Sequence, residues 1–317
     1  MKVLPLRLRT VTRTQGNNAA LKDGTVEPRG FTFEFEEVSP LIRAFRRMVR
    51  ELAYDVCEMA FTTYLCAREH GKPFTALPVF LVRGFHHGAI VCNADAGIRE
   101  PKDLEDRRVG VNRGYTVTTG VWARGILADE YGVDLDRVTW VLSGDEHVAE
   151  YRPPANVVPM APGEDLVELL AAGELAAAVG VEVDHPNVVP LIPDADEAGF
   201  DALRRRGHYP INHLIVVRDE LLEADPDLAA AVFDAFAQAK ALYVDRLRAG
   251  AIDEPTATDR MYARVLEITG TDPLPYGVEP NRAAIEELVR HAAAQKILSR
   301  APAVETLFAA GTLDLDA

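Results

Sequence analysis

The residues best suited to acid–base and carboxylate chemistry stand near the ends of apolar runs. Arg83-Gly84-Phe85-His86-His87 follows one such run, and His213 lies inside another, Ile211 to Val217. Arginine matches a carboxylate bidentately, and histidine is the commonest general acid or base near neutral pH. Because adjacent side chains of an extended segment point to opposite faces, we expect one histidine of the pair to face a binding site. His213 and His87 are therefore candidate general acids, with Arg83 and His86 as candidate substrate binders.

Two further clusters stand where a predicted strand runs into a predicted helix. Glu58, Thr62 and Thr63 form the first, and Tyr115 and Thr118 belong to the second. Hydroxyl groups and the free backbone N–H groups of a helix start can hold a carboxylate, although an ordinary N-terminal cap uses the same residue types. Glu58 can also set a histidine tautomer or accept a hydrogen bond from a substrate hydroxyl. We therefore take Glu58 as a candidate catalytic residue and the other four as candidate substrate binders.

The charge balance restricts the partners of the chain. Its 34 Lys and Arg against 49 Asp and Glu give a net charge of −15 and a pI near 5.0. Phosphate backbones and anionic membranes repel such a chain, so we expect neither nucleic acid nor membrane as a partner. The start of the sequence, MKVLPLRLRTVTRTQ, has basic residues throughout and no apolar core of a signal peptide, which predicts a cytoplasmic protein. The expected partner is a small-molecule carboxylate; whether the chain forms a homodimer stays open.

Sequence motifs for cofactors and metals are missing from the chain. No Walker loop, GxSxG elbow, HExxH helix or GxGxxG fingerprint occurs. Cys57, Cys66 and Cys92 lie in apolar surroundings and lack CxxC or Cys/His spacing, which predicts buried thiols. We therefore expect no cofactor, no metal ion and no disulfide.

The predicted elements alternate between strand and helix, which indicates an α/β fold with parallel sheets. Leu4, Leu6 and Leu8 alternate with polar residues and predict the first strand. A second α/β unit starts after a polar connector near Asn93, and a late strand from Asn212 is expected to rejoin the first sheet. This order predicts two lobes, residues 1–93 with 209–317 and residues 94–208, with a ligand cleft between them and a hinge at the connectors.

Several runs of the sequence resemble those of the 4,5-dihydroxyphthalate decarboxylase family, in order and over nearly the whole chain. They are YDVCEMAFTTYL (54–65), LPVFLVRGFHHGAIV (77–91), VGVNRGYTVTTGVWARGILADEYGV (109–133), YPINH (209–213) and PYGVEPNR (275–282). The resemblance implies a fold similar to type II periplasmic binding proteins, with the ligand between two lobes. The positions that match the family's residue types are Glu58, Arg83, Phe85, His87, Tyr115, Thr118, Trp122, Arg124, Pro210, His213, Tyr276 and Gly277.

Two positions depart from the family's pattern. Where the family has Tyr-Asp-Arg-Thr near the N-terminus, this chain has Gln15-Gly16-Asn17-Asn18, and where the family has Arg before a His, this chain has His86. Two guanidinium groups are thus missing from positions that would face a dianionic phthalate. We expect a substrate with one carboxylate and a polar group, of a kind that pairs with an amide, near Asn17.

The resemblance implies a cofactor-independent lyase that decarboxylates a hydroxylated aromatic or related cyclic carboxylic acid. A ring hydroxyl ortho or para to the carboxylate lets a general acid protonate the ring carbon, and the dienone-like intermediate then expels CO₂. His213 or His87 is the expected acid, in a desolvated pocket. Two alternatives stay open: a non-catalytic carboxylate-binding protein, and a different lyase that resembles chorismate dehydratase.

Overall fold

The computed structural model describes residues 6–317. The strands are β1 (Leu6–Val11), β2 (Phe31–Phe35), β3 (Val56–Ala60), β4 (Phe74–Arg83), β5 (Ile90–Asn93), β6 (Arg108–Val111), β7 (Thr139–Leu142), β8 (Val157–Pro159), β9 (Ala177–Val179), β10 (Val188–Pro190) and β11 (Ile211–Arg218). The helices are α1 (Ala19–Lys22), α2 (Ile42–Glu51), α3 (Phe61–Glu69), α4 (Thr118–Tyr131), α5 (Leu166–Ala171), α6 (Ala195–Arg206), α7 (Asp219–Ala224), α8 (Leu228–Arg248), α9 (Ala257–Thr269) and α10 (Arg282–Ala294). Among these residues, no helix combines the length and the apolar character that a membrane crossing needs. Leu4, where the first strand was predicted to start, lies outside the described residues.

The chain divides into two compact units, each formed from separate segments. Unit 1 comprises Met1–Gly84 (described from Leu6), Ile211–Glu286 and Pro302–Ala317, and unit 2 comprises Phe85–Pro210 and Glu287–Ala301. The predicted lobes, 1–93 with 209–317 and 94–208, differ from these units at two longer segments, 85–93 and 287–301, and at residues 209–210.

Hydrogen bonds explain the two longer differences in the boundaries. β5 belongs to unit 2 because it pairs with β9 and β10. The segment 287–301 also belongs to unit 2, since Gln295 on the turn after α10 donates to the carbonyl of Val121 and accepts from Arg124, both on α4.

The sheet of unit 1 has the strand order β2-β1-β3-β11-β4. β1 pairs parallel with both β2 and β3, while β11 pairs antiparallel with β3 and β4. The late strand therefore returns to the first sheet, between two strands made much earlier. β3 is buried along its whole length, and α2 and α3 pack against it. A strand that is covered on both faces needs apolar residues on both. This explains why β3 is apolar at Val56, Cys57 and Met59 and has a single acidic residue, Glu58.

The sheet of unit 2 has the strand order β10-β5-β9-β6-β7-β8. β6, β7, β8 and β9 are parallel, and β5 is antiparallel to β9. β9 is shorter than the strand predicted from Leu175 to Val183, because Gly180 has a positive φ of 76° and ends the pairing there. Helix α4 places Trp122 and Arg124 in the interior, where both are fully buried. The three cysteines are free and buried, as predicted.

Candidate functional site

One edge of the sheet of unit 1 gathers most of the predicted site residues. β3 and β4 both run antiparallel to β11, so β1, β3 and β4 share one direction and end at the same edge, where β11 begins. In open α/β sheets, ligands bind outside the carboxyl ends of the strands. Five of the predicted residues lie at or beyond this edge. They are Asn17 after β1, Thr62 and Thr63 after β3, Arg83 at the end of β4 and His213 near the start of β11.

Glu58 and His213 form a hydrogen-bonded pair on neighbouring strands. In the register of β3 and β11, His213 faces Ala60 and Ile215 faces Glu58, so the two side chains are diagonal neighbours on one face. Nδ1 of His213 lies 2.6 Å from Oε1 of Glu58. A carboxylate can only accept, so the contact holds a proton on Nδ1 and leaves Nε2 to face elsewhere.

The surroundings of this pair fix its geometry. Glu58 is wholly buried, and its other oxygen accepts the backbone N–H of Arg13 at 2.9 Å. The side chain of His213 is 19% exposed, and its ring packs edge-on against Phe45 with centroids 5.2 Å apart. The pair therefore combines a buried carboxylate, each oxygen of which has a hydrogen-bond partner, with an imidazole that solvent can reach.

Arg83 stands at the same edge because β4 and β11 are irregularly paired there. The register shifts between Ile211 and Leu214, and Arg83 is the partner of Ile211. Such irregularities re-aim side chains next to functional sites. The Arg83 side chain is buried and donates to Oδ1 of Asn281 at 2.6 Å, and its backbone N–H donates to the hydroxyl of Tyr262 at 3.4 Å. Burial raises the pKa of Tyr262 to about 12, so the hydroxyl stays neutral in the physiological range.

The loop after β1 is held by its own amides. Asn18 accepts from the backbone N–H of Gln15 and donates to the carbonyl of Arg13. Asn17 is 2% exposed and donates from Nδ2 to the carbonyl of Leu81 on β4, at 2.9 Å. Thr62 and Thr63 are fully buried in the first turn of α3. The Asn17 side chain is thus fixed to the backbone of β4. Arg13, which the sequence analysis did not select, contacts Glu58 directly through its own backbone N–H.

Unit 2 contains the other predicted residues, His86, His87, Tyr115 and Thr118. His86 and His87 are buried next to a short 3₁₀ turn, and Nε2 of His87 lies 3.1 Å from Oε1 of Glu130. Glu130 also pairs with Arg206 on α6. Unlike His213, the side chain of His87 has no exposed surface.

The predicted carboxylate cradle before α4 is occupied by the protein's own Glu146. The backbone N–H groups of Tyr115 and Thr116 and the Thr116 hydroxyl all donate to the carboxylate of Glu146. The ring of Tyr115 stacks against the guanidinium of Arg124, 3.8 Å from the ring centroid, and Thr118 is buried as the first residue of α4. This segment therefore binds an internal carboxylate, and substrate binding by Tyr115 and Thr118 stays a prediction.

A carboxylate–histidine network in unit 2 escaped the sequence analysis. Nδ1 of His208 lies 3.0 Å from Glu287, and His291 lies 3.9 Å from the same carboxylate. Burial raises the pKa of Glu287, but the contacts with His208 and His291 outweigh it and hold this pKa well below its usual range. His208 follows the C-terminal cap of α6, and Glu287 and His291 lie on α10, so only the i, i+4 spacing of Glu287 and His291 could have drawn attention to them.

The same region offers a possible set of metal ligands. Asp129, Glu287 and His291 place one ligand atom each within 4.8 Å of one another. Arg290 already pairs with Asp129 at 2.5 Å, and Arg206 with Glu287 at 3.2 Å. These guanidinium groups neutralise the carboxylates that a cation would need, so the donor set fits a metal poorly.

Comparison with known proteins identifies the family. The chain is 31% identical over 311 residues to a 4,5-dihydroxyphthalate decarboxylase of Comamonas testosteroni, which covers 93% of each chain. It is 35% identical over 198 residues to a 4,5-dihydroxyphthalate decarboxylase of Pseudomonas putida, covering 58% of this chain and 76% of the relative. No protein-family model matches the chain.

A solved structure from Candida albicans, described as a gene product with the generic periplasmic binding protein fold, has a TM-score of 0.56 at 12% identity and covers 99% of each chain. This similarity concerns the fold alone, and it confirms the periplasmic-binding-protein-like α/β fold that the resemblance implied. At 31% identity over nearly the whole of both sequences, the chain belongs to the 4,5-dihydroxyphthalate decarboxylase family.

Proposed function

We propose that this chain is a carbon–carbon lyase that decarboxylates a hydroxylated aromatic or related cyclic carboxylic acid. Two relatives named as decarboxylases support this activity. The observation that carries the proposal is the Glu58–His213 pair at the edge of the sheet of unit 1, where a buried carboxylate orients a partly exposed imidazole.

The pair suits His213 to the role of general acid. As an imidazolium, it donates the Nε2 proton to the ring carbon that bears the carboxylate. Its Nδ1 keeps the other proton, which stays hydrogen-bonded to Glu58. The ring carbon–carboxylate bond then breaks, CO₂ leaves, and the electron pair of that bond restores the aromatic ring. Atoms and charge balance without an added oxidant or reductant, because one proton replaces one CO₂.

His213 is a better acid for this reaction than His87. Both histidines contact a glutamate, at 2.6 Å for His213 and 3.1 Å for His87. The His87 side chain is entirely buried, and its Nε2 is the atom that faces Glu130. His213 uses Nδ1 for its glutamate and keeps Nε2 for a substrate.

The remaining residues at the edge orient the substrate in this proposal. Arg83, positioned by Asn281, carries the charge and fork geometry that match a carboxylate. Thr62 and Thr63 lie in the first turn of α3, where the first backbone N–H groups of the helix can donate to an anionic oxygen. The proposed substrate has a single carboxylate, because His86 and Asn17 replace charged residues of the family's pattern. The cytoplasmic location and the restriction to small-molecule partners stay predictions from the sequence.

Release of CO₂ from carboxyl-labelled acids tests the proposal. The probes are 2-hydroxybenzoate, 4-hydroxybenzoate, 3,4-dihydroxybenzoate and 3-hydroxybenzoate, the last being a control because a meta hydroxyl cannot delocalise the charge. We expect turnover only with an ortho or para hydroxyl, and we expect His213→Asn to lower kcat about 10²- to 10⁴-fold. Binding without CO₂ release from any acid would favour the non-catalytic binding protein. A non-aromatic cyclic hydroxy acid, chorismate, is the separate probe for the dehydratase-like alternative, which a product lighter by one water would favour.

A further inference from the structure

The guanidinium of Arg83 is held by a neutral amide. Its Nη1 donates to Oδ1 of Asn281 at 2.6 Å, although the two residues are 198 positions apart in the sequence. Asn281 ends a short 3₁₀ turn, Glu279–Asn281, directly before α10, and it is 2% exposed. Which end of the amide faces Arg83 is decided by the other hydrogen bonds of Asn281.

The nitrogen end of this amide is fixed by two backbone carbonyls. Nδ2 of Asn281 donates to the carbonyl of Pro275 at 2.9 Å and to the carbonyl of Gly277 at 2.8 Å. Turning the amide over would place its oxygen against these two acceptors and its nitrogen against the Arg83 donor, so every one of these contacts would be lost. The amide therefore has one orientation, in which Oδ1 faces Arg83.

The segment that supplies these carbonyls is anchored to β4, the strand that carries Arg83. The backbone N–H of Gly277 donates to the carbonyl of Pro78 on β4 at 2.8 Å. Gly277 has a φ of +105°, and an added Cβ would come within 2.5 Å of the Leu315 carbonyl oxygen, so only glycine fits there. The contacts thus form a closed circuit that leaves β4 at Pro78 and returns to it through Asn281 at Arg83.

A guanidinium that is held in advance favours binding of a carboxylate. A long arginine side chain loses rotamer entropy when it is fixed, and this loss does not recur on binding if the protein has already fixed it. The contact with Asn281 adds no negative charge, because an amide oxygen is neutral. A carboxylate partner, such as Glu105 on Arg137, would instead compete with an anionic ligand. Asn281 is therefore suited to orient Arg83 without neutralising it.

We infer that Asn281 is a positioning residue for the substrate, which acts through Arg83 and serves the carboxylate group alone. The inference rests on the proposed function for calling the ligand a substrate. The carboxylate becomes neutral CO₂ in the reaction, so its contact with Arg83 is strongest before the bond breaks. Loss of Asn281 should therefore raise KM and leave kcat nearly unchanged, whereas damage to the Glu58–His213 pair lowers kcat.

Two ligands that differ in charge separate this role from a general loss of structure. They are 3,4-dihydroxybenzoate and the neutral 3,4-dihydroxybenzamide, and calorimetry on the full chain measures the affinity for each. We expect Asn281→Ala to weaken binding of the carboxylate about tenfold and to keep binding of the amide within about twofold. A side chain that only supported its loop would weaken both ligands alike.

Asn156 in unit 2 offers a matched control. It is partly buried, and its Nδ2 also donates to two backbone carbonyls, those of Leu135 and Val138, at 3.0 and 2.9 Å. Asn156→Ala removes the same kind of anchor at a distance in the sequence from Arg83. We expect its Tm to fall, as in Asn281→Ala, while its affinities for both ligands stay unchanged.

A double-mutant cycle tests whether Asn281 acts through Arg83. In the Arg83→Ala background, Asn281→Ala should cause no further loss of carboxylate affinity, because no guanidinium remains to be oriented. Asn281→Ser repeats the cycle if the alanine variant does not fold, since its hydroxyl can donate to one carbonyl but is too short to reach Arg83. Equal losses in the two backgrounds, or equal weakening of the carboxylate and the amide, would overturn the inference.

The guanidinium itself gives a readout that needs no ligand. When rotation of a guanidinium is hindered, its two Nη groups give separate NMR signals, and comparison with Arg83→Ala assigns those of Arg83. We expect the signals to merge in Asn281→Ala and to stay separate in Asn156→Ala. Signals that stay separate in folded Asn281→Ala would overturn the inference.

The outcomes distinguish the inference from the proposed function. Merged Arg83 signals and weakened carboxylate binding, without CO₂ release from any acid, would keep the role of Asn281 and remove the decarboxylase. CO₂ release with an unchanged KM in Asn281→Ala would keep the decarboxylase and remove the role of Asn281.

Discussion

Replacing Glu58 by glutamine changes which nitrogen of His213 carries the proton. The glutamine oxygen can still accept the Arg13 N–H, so its amide nitrogen faces Nδ1 of His213, which must then act as an acceptor. The neutral histidine is held with its proton on Nε2, and the imidazolium loses the anion that stabilises it. Glu58→Gln therefore preserves size and burial while removing the charge that supports the general acid.

The magnitude follows from the contacts. A hydrogen bond to a charged group contributes about 1.5–3 kcal/mol and a neutral one about 0.5–1.5 kcal/mol, so the free energy of unfolding should fall by about 1–2 kcal/mol. General acid–base catalysis contributes about 10²- to 10⁴-fold, which corresponds to about 3–5 kcal/mol in the activation free energy. Activity should thus fall much further than stability.

The assay compares kcat for CO₂ release with the urea unfolding midpoint. Glu287→Gln is the matched control, because Glu287 is likewise a carboxylate on Nδ1 of a histidine, His208, although it is partly exposed and lies in unit 2. We expect a similar loss of stability in this control with kcat within about twofold of wild type. If Glu58→Gln keeps kcat within about threefold while its stability falls like that of the control, the pair is structural and the reasoning is wrong.

Three other predictions follow from the described contacts. Arg83→Ala should weaken binding of a carboxylate ligand by about 2 to 4 kcal/mol in calorimetry, and unchanged affinity would remove Arg83 from the site. The pKa of Glu287 is lower in the folded than in the unfolded chain, where it is about 4.3, so the ionised carboxylate stabilises the fold above that pH and this stability is lost as the pH falls. The destabilisation by Glu287→Gln should therefore be largest near pH 7 and should shrink below about pH 4. A difference in unfolding free energy that does not change with pH would contradict this. Steady-state kinetics should show 4,5-dihydroxyphthalate to be a poor substrate, because a second carboxylate lacks a dedicated cation, and a kcat/KM of about 10⁴ M⁻¹s⁻¹ or more would refute this expectation.

Local sequence patterns predicted the strands and helices better than they predicted which strands pair with one another. The alternation at Leu6 and Leu8 and the apolar run of β4 identified real strands, and the late strand was correctly expected in the first sheet. β5 was placed in the wrong lobe because its four residues carry no signal for the strand that they pair with. The split of α10 between the units is equally invisible in its helical periodicity.

The candidate site shows the same limit. Glu58 and His213 were each selected for their chemistry, but their contact depends on a register between strands 155 residues apart, which no local pattern encodes. Arg13 was missed because it is an exposed arginine in a polar loop and contacts Glu58 through its backbone N–H, which no residue type signals. The backbone N–H of Arg13 reaches Glu58 across 45 residues of sequence, which only the folded structure shows.

The position of β11 has a consequence for synthesis on the ribosome. Among the described strands, β4 has β11 as its only ladder partner, and β3 has β11 on one side, so neither is fully paired until residue 218 has been made. At about 5–20 residues per second, translation of the intervening segment 85–210 takes about 6 to 25 s. During that interval the nascent chain exposes two unpaired apolar strand edges, the kind of surface that chaperones bind. Most of unit 2 is made before unit 1 can close its sheet, so the first strands of the chain wait for a partner strand that is synthesised after residues 85–210.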